Sequence, residues 1–426
     1  MEIKAATPGP ESTPSFPSAA DSDPVKLGWM QGHPPPPDKL VRFADMTHYR
    51  FPQMRWSFAN FRQLTPTSNI ARGDWPVSVL PKAERKEIDA LAFTPMARTD
   101  SMTWAQSLAA NYTDAIVILH KGQIVYERYM GVMTPSQHHI AFSVTKSVFG
   151  TLAAMLVDEG KLDERALVTS LIPELKNTAY EGATVRHVMD MTIGVQYSEN
   201  YADPQAEIWA HARAGGVMPR PAGYSGPDSF YAFLQTLKKD GEHGTGFYYK
   251  TVNSDVLGWL IRRATGQGVG AVLSECIWRR MGAEHDGYML IDSTGTEFAG
   301  GGFNCTLRDL ARFGEVLRLD GFYNDQQIIS KAVVADIRKG ASKTDYETCG
   351  LTATTKGWSY RNMWWVTHNE HGAYSARGIH GQAIYIDPMA QMVIARFGSH
   401  PLAGNFNFDP TSLPAFHAVA KHLMGE

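Results

Sequence analysis

Ser143 and Lys146 form an SxxK motif that places a hydroxyl and an amine three residues apart. The motif opens an apolar stretch, residues 144–159, which predicts a helix ended by Gly160. Residues three apart share one face of a helix, so the Lys146 amine is expected to reach the Ser143 hydroxyl. A serine hydroxyl is a weak nucleophile that needs a nearby base. A lysine serves as that base only when its surroundings lower its pKa. The pattern is therefore typical of nucleophilic catalysis.

The same motif has a purely structural interpretation. Ser143 sits where a helix-capping serine is common, and a lysine in the first turn is often solvated. About one chance match to so short a motif is expected in a chain of this length. The motif alone leaves both interpretations open.

Tyr249 is the second candidate. It lies in residues 244–258, a stretch that runs through a turn into a predicted helix over residues 254–265. A phenol placed just before a helix, beside a lysine ammonium, is suited to carry a proton. The alternative is that Tyr248 and Tyr249 only pack the loop as core aromatics.

The order of these motifs resembles the serine β-lactamase and penicillin-binding-protein superfamily. Within it the chain is most similar to the class C-related hydrolases, and closest to the 6-aminohexanoate-dimer (nylon oligomer) hydrolases and related carboxylesterases. The resemblance spans roughly residues 100 to 400. The phrases that carry it are residues 142–147 (FSVTKS), 197–204 (YSENYADP), 249–257 (YKTVNSDVL), 305–312 (CTLRDLAR), 378–382 (GIHGQ) and 385–388 (YIDP).

The resemblance implies catalytic roles for three side chains. Ser143 would be the acylated nucleophile, and Lys146 and Tyr249 would form the acid/base pair. Which of the two takes the first proton stays open. The oxyanion hole would use the backbone N–H groups of Ser143 and Ile379.

The resemblance also implies substrate contacts. Tyr201 corresponds to a loop tyrosine that closes over substrate, with a packed loop aromatic as the alternative, and Gly378 and His380 would line the site. No metal or organic cofactor is implied.

The chain departs from the superfamily pattern at several positions. Ala376-Arg377-Gly378 stands where a Lys-Thr-Gly strand is usual, and Tyr249-Lys250-Thr251 replaces Tyr-x-Asn. Penicillin turnover is therefore not expected as the natural activity. Ala212 and Gly300 stand where some nylon-oligomer hydrolases use polar side chains, which leaves the particular linear amide open.

The elements that must position these residues are strands at both ends of the chain and helices between them. Residues 115–119 and 124–129 read as one hairpin, and residues 383–386 and 392–397 as another. Three further helices are predicted: a short one capped by Thr184 and ending at Met191, one capped by Thr306 over residues 307–319, and a last one over residues 414–424.

The predicted fold class is α/β (α+β), β-lactamase-like, with an antiparallel sheet flanked by helices and an inserted helical domain. An extended Pro-rich arm would cover residues 1–40. A discontinuous sheet domain would cover residues 41–145 and 296–426, and a mostly helical domain residues 146–295.

Composition excludes several classes of protein. The 426 residues carry 40 Lys and Arg against 43 Asp and Glu, which argues against a nucleic-acid partner. No apolar stretch reaches the ~18 to 20 residues that span a bilayer, and the N-terminus shows no apolar leader, so a cytoplasmic location without membrane binding is expected. Three scattered cysteines and 15 histidines show no metal-ligand spacing.

The sequence thus predicts a serine hydrolase that cleaves a small amide or ester through an acyl-enzyme on Ser143. Whether it assembles as a homodimer stays open. The alternatives are a carboxylesterase with little amidase activity and a penicillin-recognising D,D-peptidase-like protein. The loops over residues 195–230 and 340–375 would shape the substrate pocket. Their tryptophans favour an apolar or extended substrate, unless they belong to the core. These are Trp209, Trp358, Trp364 and Trp365.

Overall fold

The computed structural model describes residues 15–350 and 353–426. The strands are β1 (Thr67–Ile70), β2 (Ala92–Phe93), β3 (Met102–Thr103), β4 (Thr113–His120), β5 (Gln123–Tyr129), β6 (His139–Ile140), β7 (Gly287–Leu290), β8 (Phe303–Cys305), β9 (Phe322–Tyr323), β10 (Gln326–Gln327), β11 (Ser359–Arg361), β12 (Trp364–Val366), β13 (Tyr374–Arg377), β14 (Ala383–Asp387) and β15 (Met392–Gly398).

The helices are α1 (Met54–Ser57), α2 (Trp104–Ala110), α3 (Val144–Asp158), α4 (Val168–Leu171), α5 (Val185–Met189), α6 (Glu207–Ala214), α7 (Phe230–Leu234), α8 (Val252–Thr265), α9 (Val269–Leu273), α10 (Leu307–Arg318), α11 (Lys331–Lys339), α12 (Lys343–Glu347) and α13 (Asp409–Met424). Both predicted hairpins are present, as β4–β5 and β14–β15. The last helix begins five residues earlier than predicted, with Pro410 in its first turn, where a proline needs no N–H partner.

A seven-stranded antiparallel sheet joins the two ends of the chain. Its strand order is β11-β12-β13-β14-β15-β4-β5. The pairing of β15 with β4 sets Ile394 opposite Ile118, residues that are far apart in sequence. The predicted sheet built from distant segments is therefore observed.

The two faces of this sheet bury different sets of side chains, because alternate residues of a strand point to opposite faces. Val117 and Ile384 belong to the large core on the side of α3 and α10. Ile118 and Tyr385 belong to a separate cluster that includes residues of α2 and α13. The sheet thus separates α3 from the C-terminal helix α13.

A smaller sheet lies beside the start of α3. Its order is β1-β7-β8-β6, and β6 ends two residues before Phe142. Strand β7 falls within residues 146–295, the segment predicted to be mostly helical, yet it pairs with β1 and β8.

Within the predicted N-terminal arm, residues 15–40 make contacts with the folded part of their own chain. Ser22 is buried, and its hydroxyl accepts a 3.0 Å hydrogen bond from the buried Arg55. The Tyr112 hydroxyl donates to the Pro17 carbonyl at 2.9 Å. The remainder of the predicted arm, residues 1–14, lies outside the described residues. Within the described ranges, we find no helix with the length and apolar character needed to cross a bilayer.

Candidate active site

Ser143 sits on a tight turn between β6 and α3. Phe142 adopts a φ of 43°, a left-handed conformation that is costly for an aromatic residue and that frequently marks a functional site. Ser143 is the residue that precedes the first turn of α3, but its side chain accepts no capping hydrogen bond. The hydroxyl is therefore left available for another partner.

Lys146 is that partner. Its ammonium is 1% exposed and donates hydrogen bonds to Ser143 Oγ at 2.8 Å and to the Gly300 carbonyl at 2.6 Å. Burial lowers the pKa of Lys146 to about 8, against the opposing effect of the Glu199 and Asp255 carboxylates. The structural alternative of a capping serine and a solvated lysine is wrong.

Close packing against the loop between β11 and β12 holds α3 in place. A Cβ atom on Gly150 would come within 2.2 Å of the Asn362 carbonyl oxygen, so only glycine permits this approach. The Ser147 hydroxyl donates to the Met363 carbonyl at 2.6 Å, and the Trp364 indole donates to Thr151 at 2.9 Å. These contacts fix the helix that carries the nucleophile and the lysine.

Tyr249 lies just before α8, and its ring lies beside the Lys146 ammonium, 5.2 Å from the ring centroid. The ring packs against Trp365 at 5.3 Å between centroids. Burial raises the pKa of the Tyr249 phenol, more than the neighbouring Ser143 hydroxyl lowers it. The phenol therefore stays protonated at neutral pH, which suits a proton carrier between Ser143 and Lys146.

A buried carboxylate on α8 anchors the backbone of Gly300, the residue whose carbonyl contacts Lys146. Asp255 Oδ1 accepts a 3.0 Å hydrogen bond from the backbone N–H of Gly300. The other oxygen lies 2.8 Å from His211 Nε2, and His211 Nδ1 lies 3.0 Å from the Tyr197 hydroxyl. Asp255 therefore lies between the His211 ring and the backbone of the residue that contacts Lys146.

Glu199 is a second buried carboxylate near the lysine. It accepts a hydrogen bond from the backbone N–H of Thr251, the residue just before α8. Burial raises the pKa of Glu199, and the Lys146 ammonium opposes that shift. This carboxylate therefore acts on Lys146 while it ties the loop over residues 197–203 to α8.

The end of β13 approaches the nucleophile turn. A Cβ on Gly378 would lie 2.8 Å from the Ala141 carbonyl oxygen, so this close approach requires glycine. Ile379, the next residue, packs against the cluster that contains Phe142. In the part of the chain that the structure describes, the backbone N–H groups of Ser143 and Ile379 donate no hydrogen bond.

The remaining two predicted substrate contacts lie in different surroundings. Tyr201 is partly buried, its ring 5.8 Å from that of Trp209, and burial raises the pKa of its phenol, as does the nearby Glu199. His380 is buried, its ring 5.6 Å from that of Phe142. Its Nδ1 lies 2.7 Å from the His400 carbonyl, and burial lowers its pKa to about 4, so it stays neutral.

Comparisons with known proteins identify this arrangement. The family model described as Beta-lactamase matches residues 105–403 of the chain. The chain belongs to the β-lactamase family. It is 34% identical to the 6-aminohexanoate-dimer hydrolase of Paenarthrobacter ureafaciens over 387 residues, which cover 91% of each protein.

Two further relatives of this β-lactamase family member carry hydrolase names. A solved structure from Bacillus anthracis, provisionally assigned as a 6-aminohexanoate-dimer hydrolase, superposes with a TM-score of 0.80. It is 31% identical, and the match covers 89% of this chain and 96% of that one. Esterase EstB of Burkholderia gladioli is 27% identical over 194 residues, covering 41% of this chain and 46% of the esterase. The chain is therefore a serine hydrolase of the amidase and esterase class.

This family member does not use Arg377 as a free cation. Arg377 is the middle residue of the stretch that stands where Lys-Thr-Gly is usual, one position after the usual lysine. Its guanidinium forms a buried ion pair with Asp409. It also lies 5.4 Å from the ring centroid of Trp365. Its charge is compensated within the protein, which leaves it poorly suited to bind a substrate carboxylate.

Sequence reasoning missed the residues that tune Lys146. Glu199 stands in the phrase YSENYADP, and Asp255 in YKTVNSDVL, but neither was given a role. Only the folded chain brings them to the lysine.

Of the tryptophans expected near the pocket, Trp365 packs against Tyr249, whereas Trp364 is a fully buried core residue that contacts Phe313.

Proposed function

We propose that this chain hydrolyses small amides and esters through an acyl-enzyme on Ser143. The observation that carries the proposal is the 2.8 Å contact between Ser143 Oγ and a buried lysine amine whose pKa lies near 8. At that pKa, a useful fraction of Lys146 is neutral at pH 7 to 8 and able to accept the serine proton.

Lys146 is the first base in this proposal. Its pKa is lowered to about 8, whereas that of Tyr249 is raised, so at neutral pH the amine is the easier of the two to have unprotonated. As Ser143 Oγ bonds to the substrate carbonyl carbon, its proton moves to Lys146 Nζ. Tyr249 then delivers a proton to the leaving nitrogen or oxygen and recovers one from Lys146. Water hydrolyses the ester formed on Ser143, which releases the acid.

The backbone N–H groups of Ser143 and Ile379 form the oxyanion hole of the proposed site. Support comes from the glycine-dependent approach of Gly378 to Ala141, which brings the second N–H towards the nucleophile turn. Removal of one such donor typically slows turnover by about 10²- to 10³-fold. Tyr201, Gly378 and His380 would line the substrate side.

The substrate class follows from the relatives and from the charges at the site. The relative from P. ureafaciens is named a 6-aminohexanoate-dimer hydrolase, and that from B. gladioli is named an esterase. Arg377 is already paired with Asp409, so β13 offers no uncompensated positive charge that would favour an anionic substrate. We infer a small amide or ester with an uncharged acyl end near β13.

A matched substrate pair tests the proposal. A p-nitrophenyl ester and a p-nitroanilide with the same short acyl group report ester and amide cleavage, and the 6-aminohexanoate dimer is added as a third substrate. We expect the wild-type protein and a Ser170→Ala control, altered at an exposed serine, to cleave ester and anilide, and Ser143→Ala to cleave neither. Full activity in Ser143→Ala would contradict the proposal.

The same assay separates the alternatives. Ester cleavage without anilide cleavage would identify a carboxylesterase, since only the amide needs a protonated poor leaving group. Rapid acylation by a chromogenic cephalosporin would instead favour a penicillin-recognising, D,D-peptidase-like protein.

Assembly and location belong to the proposal as well. We infer a homodimer and a cytoplasmic location, the latter supported by three scattered cysteines, which are typical of a reducing compartment. Light scattering on the purified protein at micromolar concentration tests the dimer, and cell fractionation tests the location.

A further inference from the structure

Two histidines and a glutamate come together on the far side of the large sheet. Glu370 and His371 lie in the turn between β12 and β13, and His417 lies in the middle of α13. One donor atom from each lies within 4.8 Å of the other two. The histidines are 46 positions apart, so no sequence spacing marks them as a set.

Asp387 holds His371 in the orientation that a metal ligand needs. Its carboxylate, at the end of β14, is fully buried and lies 2.7 Å from His371 Nδ1. A carboxylate only accepts, so Nδ1 carries a proton, and Nε2 is the ring nitrogen left to bind a metal. The other carboxylate oxygen accepts from the Ala390 N–H at 2.9 Å, which fixes its position. Carboxylates of this kind commonly orient metal-bound histidines.

The other two donors have room to adjust. Zn²⁺ binds imidazole nitrogen and carboxylate oxygen at about 2.0 to 2.2 Å, which places tetrahedral ligand atoms roughly 3.4 Å apart. His417 Nε2 already lies 3.4 Å from Glu370 Oε1. Glu370 is 67% exposed and His417 33% exposed, so small rotations bring both towards the buried His371.

We propose that Glu370, His371 and His417 bind one divalent transition-metal ion of the zinc class. Two imidazoles and one carboxylate are a donor set that Zn²⁺ favours, with a fourth position left for water. Hard cations such as Mg²⁺ prefer oxygen ligands and are not expected to compete.

The proposed metal would act on stability and not on hydrolysis. It would join α13 to the β12–β13 turn, and both elements lie on the face of the sheet that carries the Ile118 and Tyr385 cluster. The apolar residues of α3, the helix that follows Ser143, belong to the core on the opposite face. Because the ion binds the folded chain, it should raise the melting temperature while the rate of ester cleavage stays unchanged.

The test compares two histidines of the same helix. His417→Gln removes a proposed ligand. His422→Gln is the matched control, since His422 is equally exposed, at 31%, and faces Glu87 outside the cluster. Glu370→Gln is the second ligand variant. Each purified, chelator-treated protein is titrated with Zn²⁺ against a fluorescent chelator, and melting temperatures are measured with and without Zn²⁺.

We expect one equivalent of Zn²⁺ to bind to the wild-type protein and His422→Gln and to raise their melting temperatures. His417→Gln and Glu370→Gln should bind at least about tenfold more weakly and gain less stability. Equal affinity in His417→Gln and His422→Gln, as thiol binding would give, overturns the proposal. So does the absence of stoichiometric binding to the wild-type protein.

Discussion

Asp255 accepts a 3.0 Å hydrogen bond from the backbone N–H of Gly300, and the carbonyl of that glycine accepts a 2.6 Å hydrogen bond from Lys146. One buried carboxylate therefore anchors the backbone of the glycine whose carbonyl oxygen holds the lysine. Since Lys146 also contacts Ser143, the position of the nucleophile depends on a residue that touches neither substrate nor serine in our proposal.

This relationship predicts that Asp255→Ala is more damaging than Asp255→Asn. The asparagine keeps an oxygen acceptor for the Gly300 N–H, whereas alanine leaves that buried group unpaired, which typically costs about 1 to 3 kcal/mol. We expect kcat to fall more than KM rises in Asp255→Ala, with partial retention of kcat in Asp255→Asn. Steady-state kinetics on the p-nitrophenyl ester measures both. Identical kcat values for the two variants would show that the hydrogen bond to Gly300 plays no part.

The lowered pKa of Lys146 predicts the pH dependence of the reaction. The neutral amine is the active form, and its fraction rises as pH increases through about 8. We therefore expect kcat/KM to rise about tenfold per pH unit on the acid side and to level off above pH 8. A profile that is flat between pH 6 and 9 would be inconsistent with Lys146 as the base.

Replacement of Glu199 should move that profile. Its carboxylate raises the pKa of Lys146, so Glu199→Gln removes an opposing charge and lowers the lysine pKa further. The acid limb of kcat/KM should then shift to lower pH. Glu207→Gln is the control, because Glu207 accepts from the Ser198 N–H in the same loop, 2.9 Å away, but is not among the charges that act on Lys146. Equal shifts in both variants would indicate a loop effect alone.

The close approach of Gly378 to Ala141 predicts that a larger residue at position 378 slows turnover by displacing an oxyanion-hole donor. In Gly378→Ala, a Cβ 2.8 Å from the Ala141 carbonyl oxygen forces the end of β13 away from the nucleophile turn. Displacement of the Ile379 N–H should lower kcat by about 10²-fold. Gly372→Ala, just before the other end of the same strand, is the control, because a Cβ added there meets no atom within 4 Å. Alanine would have to adopt the glycine's φ of 65°, which costs about 1 to 2 kcal/mol of stability. We expect it to melt earlier and to retain kcat, and a Gly378→Ala variant that retains kcat would contradict this role.

Local pattern was enough to predict much of the fold. Short β-rich runs on either side of polar turns indicated β4, β5, β14 and β15, and the long apolar run after Ser143 indicated α3. The order of motifs then required the two ends of the chain to meet. The small sheet was harder to foresee, because β6, β7 and β8 are only two to four residues long and carry little periodicity.

The candidate site was predictable only where a motif marks it. Ser143, Lys146 and Tyr249 stand in recognisable phrases, and the structure brings their side chains together. Asp255 reaches Lys146 only through the backbone of Gly300, and main-chain contacts of this kind cannot be predicted from residue types. The neutralisation of Arg377 by Asp409 likewise depends on where α13 packs.

The central claim is that Ser143 carries the acyl group, and a covalent adduct tests it most directly. The protein is incubated with a fluorophosphonate probe, digested, and the labelled peptide is sequenced by tandem mass spectrometry. We predict a single adduct on Ser143, absent in Ser143→Ala and retained in Ser147→Ala, which removes another serine hydroxyl on the helix that follows Ser143. An adduct on any other residue, or labelling that persists in Ser143→Ala, would contradict the account.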